Sequence, residues 1–371
     1  MRRPAKNQNN ERPHVKPTLI LNDTHVGVSR MAGTTPTSAS ALKAFLHERL
    51  AACLYKGYNR VIINGDLTDS YDIGLGEALE VYATLDQFLA ISGGRELIVA
   101  LGNHDLSKDS AKLGTVAFIG RLLEMKYPDR FKLVDAPHRV DDVYIIPHVT
   151  NQALFDLALS QVPDDVSYLL VHANFDNNFA AQSDHSLNLT REQAREVTSK
   201  GITLIFGHEH QGRTAFGGKL VIVGNQFPSS VSDCLAHGDG QLDGAKYALA
   251  ITGGGKYEKV MTWSRDDTVY GYTEIDWRDL NPEVAHPAFV RVAGTAEAEE
   301  AAAVIKAISG FRQKSEAFVV TNAVKVSQLA DSEEMDVSAE DVRSVNVIQM
   351  LLDVLTEEQA AVVRQLMEEV E

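Results

Sequence analysis

The sequence predicts an α/β protein, a sheet-based domain covered by helices on both faces. Short β-rich apolar runs recur along the first two thirds of the 371 residues, and segments with apolar positions at helical spacing lie between them. The strand candidates are apolar at nearly every position, as strands buried on both faces must be. Hydrophobic residues make up 44% and charged residues 23% of the chain, ordinary values for a globular protein. No apolar run approaches the roughly 20 residues needed to span a bilayer.

Residues 1–16 are polar, charged and aperiodic, and are expected to be disordered; they lack the apolar stretch of a secretory signal. The first strand is expected at 18–21, followed by a helix at 39–55, a strand at 60–64, a helix at 77–92 and a strand at 96–101. Further strands are expected at 143–147, 166–171, 202–206 and 219–223. Thr190 followed by Gln193 makes a capping box that starts a helix running to about Ser199. Residues 247–251 and 256–263 read as a hairpin around Thr252 to Gly255. Gly253-Gly254-Gly255-Lys256 lacks the leading glycine of a phosphate-binding loop, and strands flank it, so it reads as the hairpin turn.

After Asp276 the composition changes, closing a first domain at 17–276. Pro282 and Pro287 mark a linker; a strand at 288–293, an Ala-rich helix at 296–308 and a strand at 317–326 then make a βαβ module over 288–326. Residues 327–341 read as an acidic linker and 342–371 as a helical tail, its second helix opened by a capping box of Thr356 and Gln359. Twelve Asp or Glu and two Arg in 327–371 contribute −10 of the net charge of −16, leaving −6 on the rest. Bound divalent cations would offset part of that remainder, and nothing in it supports strong non-specific DNA affinity. Cys53 and Cys234 form no CxxC pair, which fits a reducing compartment and leads us to expect a cytoplasmic protein.

Chemistry concentrates where strands end. Asp23 and His25 follow the first strand, Asp66 the second, and Asn103, His104 and Asp105 the third; His172 ends the 166–171 run, and His208 and His210 follow the 202–206 run. In an α/β sheet such ends converge on a crevice where ligands bind. Any one of these residues alone is ordinary turn or cap chemistry; the ordered set is not. Carboxylates, imidazoles and an amide without thiolates suit Mn, Fe or Zn in a catalytic rather than a structural site. A phosphodiester is anionic and repels nucleophiles, so two cations that neutralise its oxygens and acidify water are what its hydrolysis needs.

These motifs, Asp23-Thr-His25, Gly65-Asp66-Leu-Thr-Asp69, Gly102-Asn103-His104-Asp105, His172 and Gly207-His208-Glu-His210, resemble those of the calcineurin-like metallophosphoesterase family over about residues 17–225. The resemblance implies a four-layer αββα sandwich and two divalent ions, Mn2+ first, with Fe, Zn or Mg as alternatives. It implies that Asp23, His25, Asp66 and His210 hold one ion and Asp66, Asn103, His172 and His208 the other, with Asp66 bridging. His104 becomes the proton donor to the leaving group or a transition-state stabiliser, oriented by Asp105, and Asp69 a supporting partner of the ligands. His148 and His185 are weaker candidates for a substrate groove, and Asn174, Phe175, Asp176 and Asn177 read as turn residues as readily as substrate contacts.

Within that family the layout looks most like SbcD-type DNA repair and recombination nucleases, including phage relatives: a catalytic domain first, Gly224-Asn-Gln-Phe-Pro-Ser-Ser after the last metal motif, a βαβ capping domain, then a helical tail. In the tail, Val345, Ile348, Leu352 and Leu355 make one apolar face and Val363, Leu366, Met367 and Val370 another, which the resemblance assigns to an SbcC-type SMC-like ATPase. DNA is then the substrate, no membrane is involved, and a homodimer stays open. The alternatives are a stand-alone phosphodiesterase or phosphatase on nucleotides or other small phosphoesters, and a non-catalytic metal-binding scaffold.

Overall fold

A computed structural model describes residues 16–28, 33–91, 93–107, 109, 112–177, 187–235 and 245–327. The N-terminal segment up to residue 15, and the acidic linker and helical tail from residue 328 on, lie outside them. In chain order the elements are β1 (Thr18–Leu21), α1 (Pro36–Leu54), β2 (Arg60–Asn64), α2 (Leu75–Ala90), β3 (Glu96–Ala100), α3 (Thr115–Lys126), β4 (Phe131–Val134), β5 (His138–Val140), β6 (Val143–Ile146), α4 (Gln152–Ser160), β7 (Tyr168–His172), β8 (Asn174–Phe175) and β9 (Asn188–Leu189). Then come α5 (Arg191–Ser199), β10 (Thr203–Gly207), β11 (Arg213–Ala215), β12 (Leu220–Ile222), β13 (Lys246–Gly253), β14 (Lys256–Trp263), β15 (Tyr272–Asp276), β16 (Phe289–Ala293), β17 (Thr295–Ala296), α6 (Ala301–Lys314), β18 (Val319–Asn322) and β19 (Lys325–Val326).

Local chemistry starts the helices. Thr35 caps α1 in a capping box with Ser38, with Pro36 at the first turn. Asn151 caps α4 by accepting the Leu154 N–H, and Thr190 and Gln193 form at α5 the capping box expected from the sequence.

Two six-stranded sheets form, in the orders β14-β13-β1-β2-β3-β4 and β11-β12-β10-β7-β6-β5. The runs β1 to β4, and β6, β7, β10 and β12, are parallel; β13 and the edge strands β14, β5 and β11 run antiparallel to their neighbours. Alternation sorts the side chains. Leu19, Leu21, Val61, Ile63, Leu97 and Val99 turn toward a core shared with Phe45 and Leu46 of α1, Val81 and Leu85 of α2 and Leu123 of α3. Ile20, Ile62 and Ile98 turn the other way and meet Ile145, Leu170 and Ile205 of the second sheet. On that sheet's far face Leu169, Val171, Leu204 and Phe206 pack with Phe155 of α4 and Val197 of α5. Three apolar layers between four layers of structure are the expected αββα arrangement.

The hairpin β13–β14 is as expected, but its place is not legible in sequence: β13 pairs with β1, Leu19 opposite Ala250. Both α3 and α4 escape the periodicity reading. Strands β7 and β10 run on through His172 and Gly207, beyond the apolar residues that define them in sequence. Further along, β16 lies between β15 and β18, parallel to both, with α6 as the crossover. Phe289 and Val319 share the core of Phe45. The helix starts at Ala301 rather than 296, because Thr295–Ala296 is extended and Ala298–Glu300 a single 3-10 turn.

The described residues fall into two compact units: those up to Gly294 with Ala302–Lys325, and Thr295–Ala301 with Val326 and Ser327. In the smaller unit the Ser327 N–H donates to the Ala296 carbonyl. Among the described residues no helix is long and apolar enough to cross a membrane.

Candidate metal centre

The five strand ends meet. Asp23, His25 and His210 bring one ligand atom each within 4.8 Å of one another, and so do Asp66, His172 and His208. The amide oxygen of Asn103 stands 2.9 Å from Nε2 of His172 and 2.8 Å from Nδ1 of His208. Between the two groups lies Oδ2 of Asp66, 3.3 Å from Nε2 of His172 and 3.9 Å from Nε2 of His25. Asp23, His25, Asp66 and His172 are buried.

The loops that carry these residues are stitched to one another by main chain. The Asp23 N–H donates to the Gly65 carbonyl and the His25 N–H to the Asp66 carbonyl, while the His208 N–H donates to the Asp23 carboxylate at 2.9 and 3.0 Å. Asp23, His25, Asp66 and His208 all have positive φ, at 46°, 46°, 49° and 87°. L residues avoid that region, and such strain persists where the surroundings fix it, commonly at functional sites. Glycines make room. A Cβ on Gly65, itself at φ 90°, would lie 2.0 Å from Nδ1 of His172, and one on Gly102 would lie 2.1 Å from Oδ1 of Asp66.

The outer nitrogens set the tautomers. Nδ1–H of His172 donates to the Asn64 carbonyl at 3.1 Å. Nδ1 of His25 lies 3.4 Å from Oδ1 of Asp69, and Nδ1 of His210 lies 3.3 Å from Oδ1 of Asp233. A nitrogen that donates outward leaves its Nε2 with a lone pair directed inward. Nε2 of His25 and Nε2 of His210 then face each other at 3.0 Å, lone pair toward lone pair, and Nε2 of His172 faces two oxygens. Those contacts are repulsive unless a cation or a proton sits among them. The donor set therefore fits two divalent ions.

Without ions, protons take up part of the same charge. Burial opposes charge on Asp66, yet His172 and His25 hold its carboxyl well below the usual range. Burial likewise opposes charge on His172, but the Asp66 carboxylate brings it up to about 9. His208 is pushed down to about 3 by burial and by His172, so its ring is neutral at ordinary pH. Burial and the nearby Asp66 charge raise Asp105 to about 6.

Two roles differ from expectation. The ring of His104 takes its orientation from the main-chain carbonyl of Asp69, to which Nδ1 donates at 2.7 Å, not from Asp105. The Asp105 carboxylate instead accepts the N–H groups of Gly102 at 2.9 Å and Thr68 at 3.0 Å and the Thr68 hydroxyl at 3.1 Å, tying the loop after β3 to the loop after β2. With both oxygens accepting from these donors, its carboxylate is committed before the ring is reached. Asp69 stands beside His25, and the ligand atoms of His25, Asp69 and His104 form a third group within 4.8 Å of one another. His148 stands 6.2 Å from the His172 ring; His185 lies outside the described residues. Asn174 and Phe175 form β8, Asp176 accepts from Arg191, and the Asn177 N–H donates to the Asn188 side chain at 2.9 Å, so these residues shape the loop.

Sequence reading missed Asn64, Asp233 and Lys246. Lys246 is buried and donates to the Asn225 amide oxygen at 2.6 Å and the His210 carbonyl at 3.3 Å. Serines at 229, 230 and 232 just before Asp233 were the available signal, since Ser and Asp together mark a turn whose side chains bond its own backbone. The segment 224–230 also reaches the centre: the Gln226 N–H donates to the Asp23 carbonyl at 3.2 Å.

Residues 16–212, more than half of the chain, match the family described as Calcineurin-like phosphoesterase. Among curated proteins the sequence has no match. Solved structures similar to it include a cold-active protein-tyrosine phosphatase of a psychrophile Shewanella species, at 12% identity, 66% of this chain, 80% of that chain and a TM-score of 0.33. A nuclease MPE of Pseudomonas putida follows at 12% identity, 66% and 87% coverage and a TM-score of 0.27, and a dimetal phosphatase of Danio rerio at 10%, 54%, 72% and 0.27. Likeness that remote says nothing about substrate. The match over residues 16–212 does settle the family: the chain belongs to the calcineurin-like phosphoesterases.

Proposed function

We propose that this metal-dependent phosphoester hydrolase is a DNA nuclease, an SbcD-like subunit of a repair or recombination nuclease complex that works with manganese. The observation that carries the hydrolytic reading is Oδ2 of Asp66, set between Nε2 of His25 and Nε2 of His172. Asp23, His25, Asp66 and His210 would hold one ion, and Asp66, Asn103, His172 and His208 the other. Two such ions, when bound, neutralise phosphoryl oxygens and lower the pKa of the attacking water.

The chain's own residues supply the rest. With Nδ1–H of His104 committed to the Asp69 carbonyl, the protonated ring carries its transferable proton on Nε2, at the opposite edge. That proton can pass to the departing oxygen. Asp105 keeps the loops after β2 and β3 in register, which holds His104 next to Asp66; the His104 N–H donates to Oδ1 of Asp66 at 2.9 Å.

The choice of DNA over a small phosphoester is supported by the layout: metal motifs first, the segment 224–230 against His210 and Asp23, then β16, α6 and β18. The helical tail at 342–371, outside the described residues, is the proposed docking element for an SbcC-type ATPase, and the cytoplasm the proposed location. The test is purified protein with manganese on linear, hairpin and single-stranded DNA, beside a generic phosphodiester. Exonuclease or endonuclease cleavage of DNA is expected; rapid turnover of the small ester with none of DNA would replace the proposal with the phosphodiesterase reading. Fragment 1–340 should lose binding to the ATPase; unimpaired binding would remove the tail from the partner site.

A further inference from the structure

We infer that Asp233 is a positioning residue that holds His210 in the only tautomer able to take a metal, and does so because its other oxygen is locked. The inference rests on His210 being a ligand, as proposed above. Oδ2 of Asp233 accepts the Ser229 N–H at 3.0 Å, the Ser230 N–H at 2.9 Å, and the hydroxyls of Ser229 and Ser230 at 3.1 and 2.9 Å. Four donors on one oxygen leave the carboxylate a single orientation. Its Oδ1 then faces Nδ1 of His210 at 3.3 Å. A carboxylate oxygen can only accept, so Nδ1 must carry the proton and Nε2 must be bare. That bare Nε2 is the atom that faces Nε2 of His25 at 3.0 Å.

The side chain of Asp233 is 6% exposed and that of His210 is 25% exposed, so water competes little for the contact. Lys246, buried beside them, holds the His210 carbonyl and the Asn225 amide oxygen at 3.3 and 2.6 Å. The 224–233 segment is therefore fixed on both sides of the imidazole.

The geometry makes Asp233→Asn a tautomer switch. Four donors around the Oδ2 position compel the amide oxygen to stay there and turn the NH2 group toward Nδ1 of His210. Nδ1 must then accept, and the proton moves to Nε2, the inward nitrogen. Amide replacement of the carboxylate in catalytic triads selects the wrong tautomer by the same logic.

The experiment is nitrogen NMR of histidine-labelled full-length protein without metal, paired with manganese titration by calorimetry. In wild type the His210 proton is expected on Nδ1; in Asp233→Asn it is expected on Nε2, with manganese affinity at one of two sites falling about 10- to 100-fold, the usual effect of losing a ligand's outer partner. Ser230→Ala removes one donor but keeps the carboxylate, and should retain the wild-type tautomer with affinity within about threefold. An unchanged tautomer in Asp233→Asn overturns the inference, as does an equal affinity loss in Ser230→Ala, which would make loop integrity the cause. Wild-type protein that takes up no manganese overturns the metal reading and this inference together.

Discussion

Nδ1 of His104 donates to the main-chain carbonyl of Asp69 at 2.7 Å, across 35 residues of sequence. The same Asp69 places Oδ1 of its side chain 3.4 Å from Nδ1 of His25. One residue thus orients a candidate proton donor through its backbone and a candidate metal ligand through its carboxylate. A backbone anchor has a consequence: no side-chain substitution at Asp69 deletes the His104 contact as such, so the two roles can be separated by mutation.

Replacing His104 with Gln should lower kcat on phosphodiesters by about 10²- to 10⁴-fold, the usual worth of a positioned general acid. Manganese stoichiometry should stay at the wild-type value, because His104 belongs neither to the group of Asp23, His25 and His210 nor to that of Asp66, His172 and His208. Activity assays beside metal analysis check both; full activity in the variant would end the donor assignment.

Asp69→Asn should act mainly through His25. Weakening the outer partner of a ligand lowers metal affinity by about 10- to 100-fold. Calorimetric titration with manganese reads the loss, and saturating manganese should restore most of kcat because the carbonyl that holds His104 remains.

Gly102→Ala should be far more damaging than its size suggests. The added Cβ would sit 2.1 Å from Oδ1 of Asp66, the carboxylate at the middle of the centre. Either the loop after β3 moves or Asp66 does, and both outcomes disperse the ligands. We expect loss of manganese binding and a lower melting temperature, measured by titration and thermal unfolding. Wild-type binding in this variant would mean that the loop has slack the structure does not show.

Chelation should lower the melting temperature of the wild-type protein, with manganese restoring it. Ligand at about 100 times its Kd adds about 2.7 kcal/mol to the folded state. A melting temperature indifferent to chelator would argue against resident ions.

A last test lies away from the centre, where Arg60, with a side chain only 6% exposed, meets Glu96 at 2.7 Å and Asp141 at 2.6 Å. Burial works against ionised Glu96, but Lys16 and Arg60 hold its carboxyl below the usual range. A depressed folded-state pKa means stabilisation that is complete above the unfolded value of about 4.3 and lost as pH falls through the folded value. Glu96→Gln should therefore cost about 1 kcal/mol at neutral pH. The gap to wild type should close as pH falls below the unfolded value and through the depressed folded one. Urea unfolding across that range is the check; a constant gap would mean that the pair's charge does not matter.

Much of this protein is legible in its sequence, for a physical reason. Strands buried on both faces are apolar throughout, so β1, β2 and β3 announce themselves, and Asp, His and Asn recurring in order directly after such strands are more than turn chemistry. The ligand candidates were found that way, as was the Thr190 capping box, because these signals are local. The role that the resemblance implies for Asp105 is not the one it has: it neighbours His104 in sequence, while its carboxylate meets Thr68 and Gly102.

What the sequence alone determined was the central strands of the two sheets, the order of the motifs and the residue types a dinuclear centre requires. Tertiary structure alone decided which nitrogen of His172 and of His210 faces inward, because the partners that fix those tautomers, Asn64 and Asp233, come from segments 108 and 23 residues away. Hydrogen bonds of that kind depend on distance and direction in space, and no periodicity in the chain encodes them.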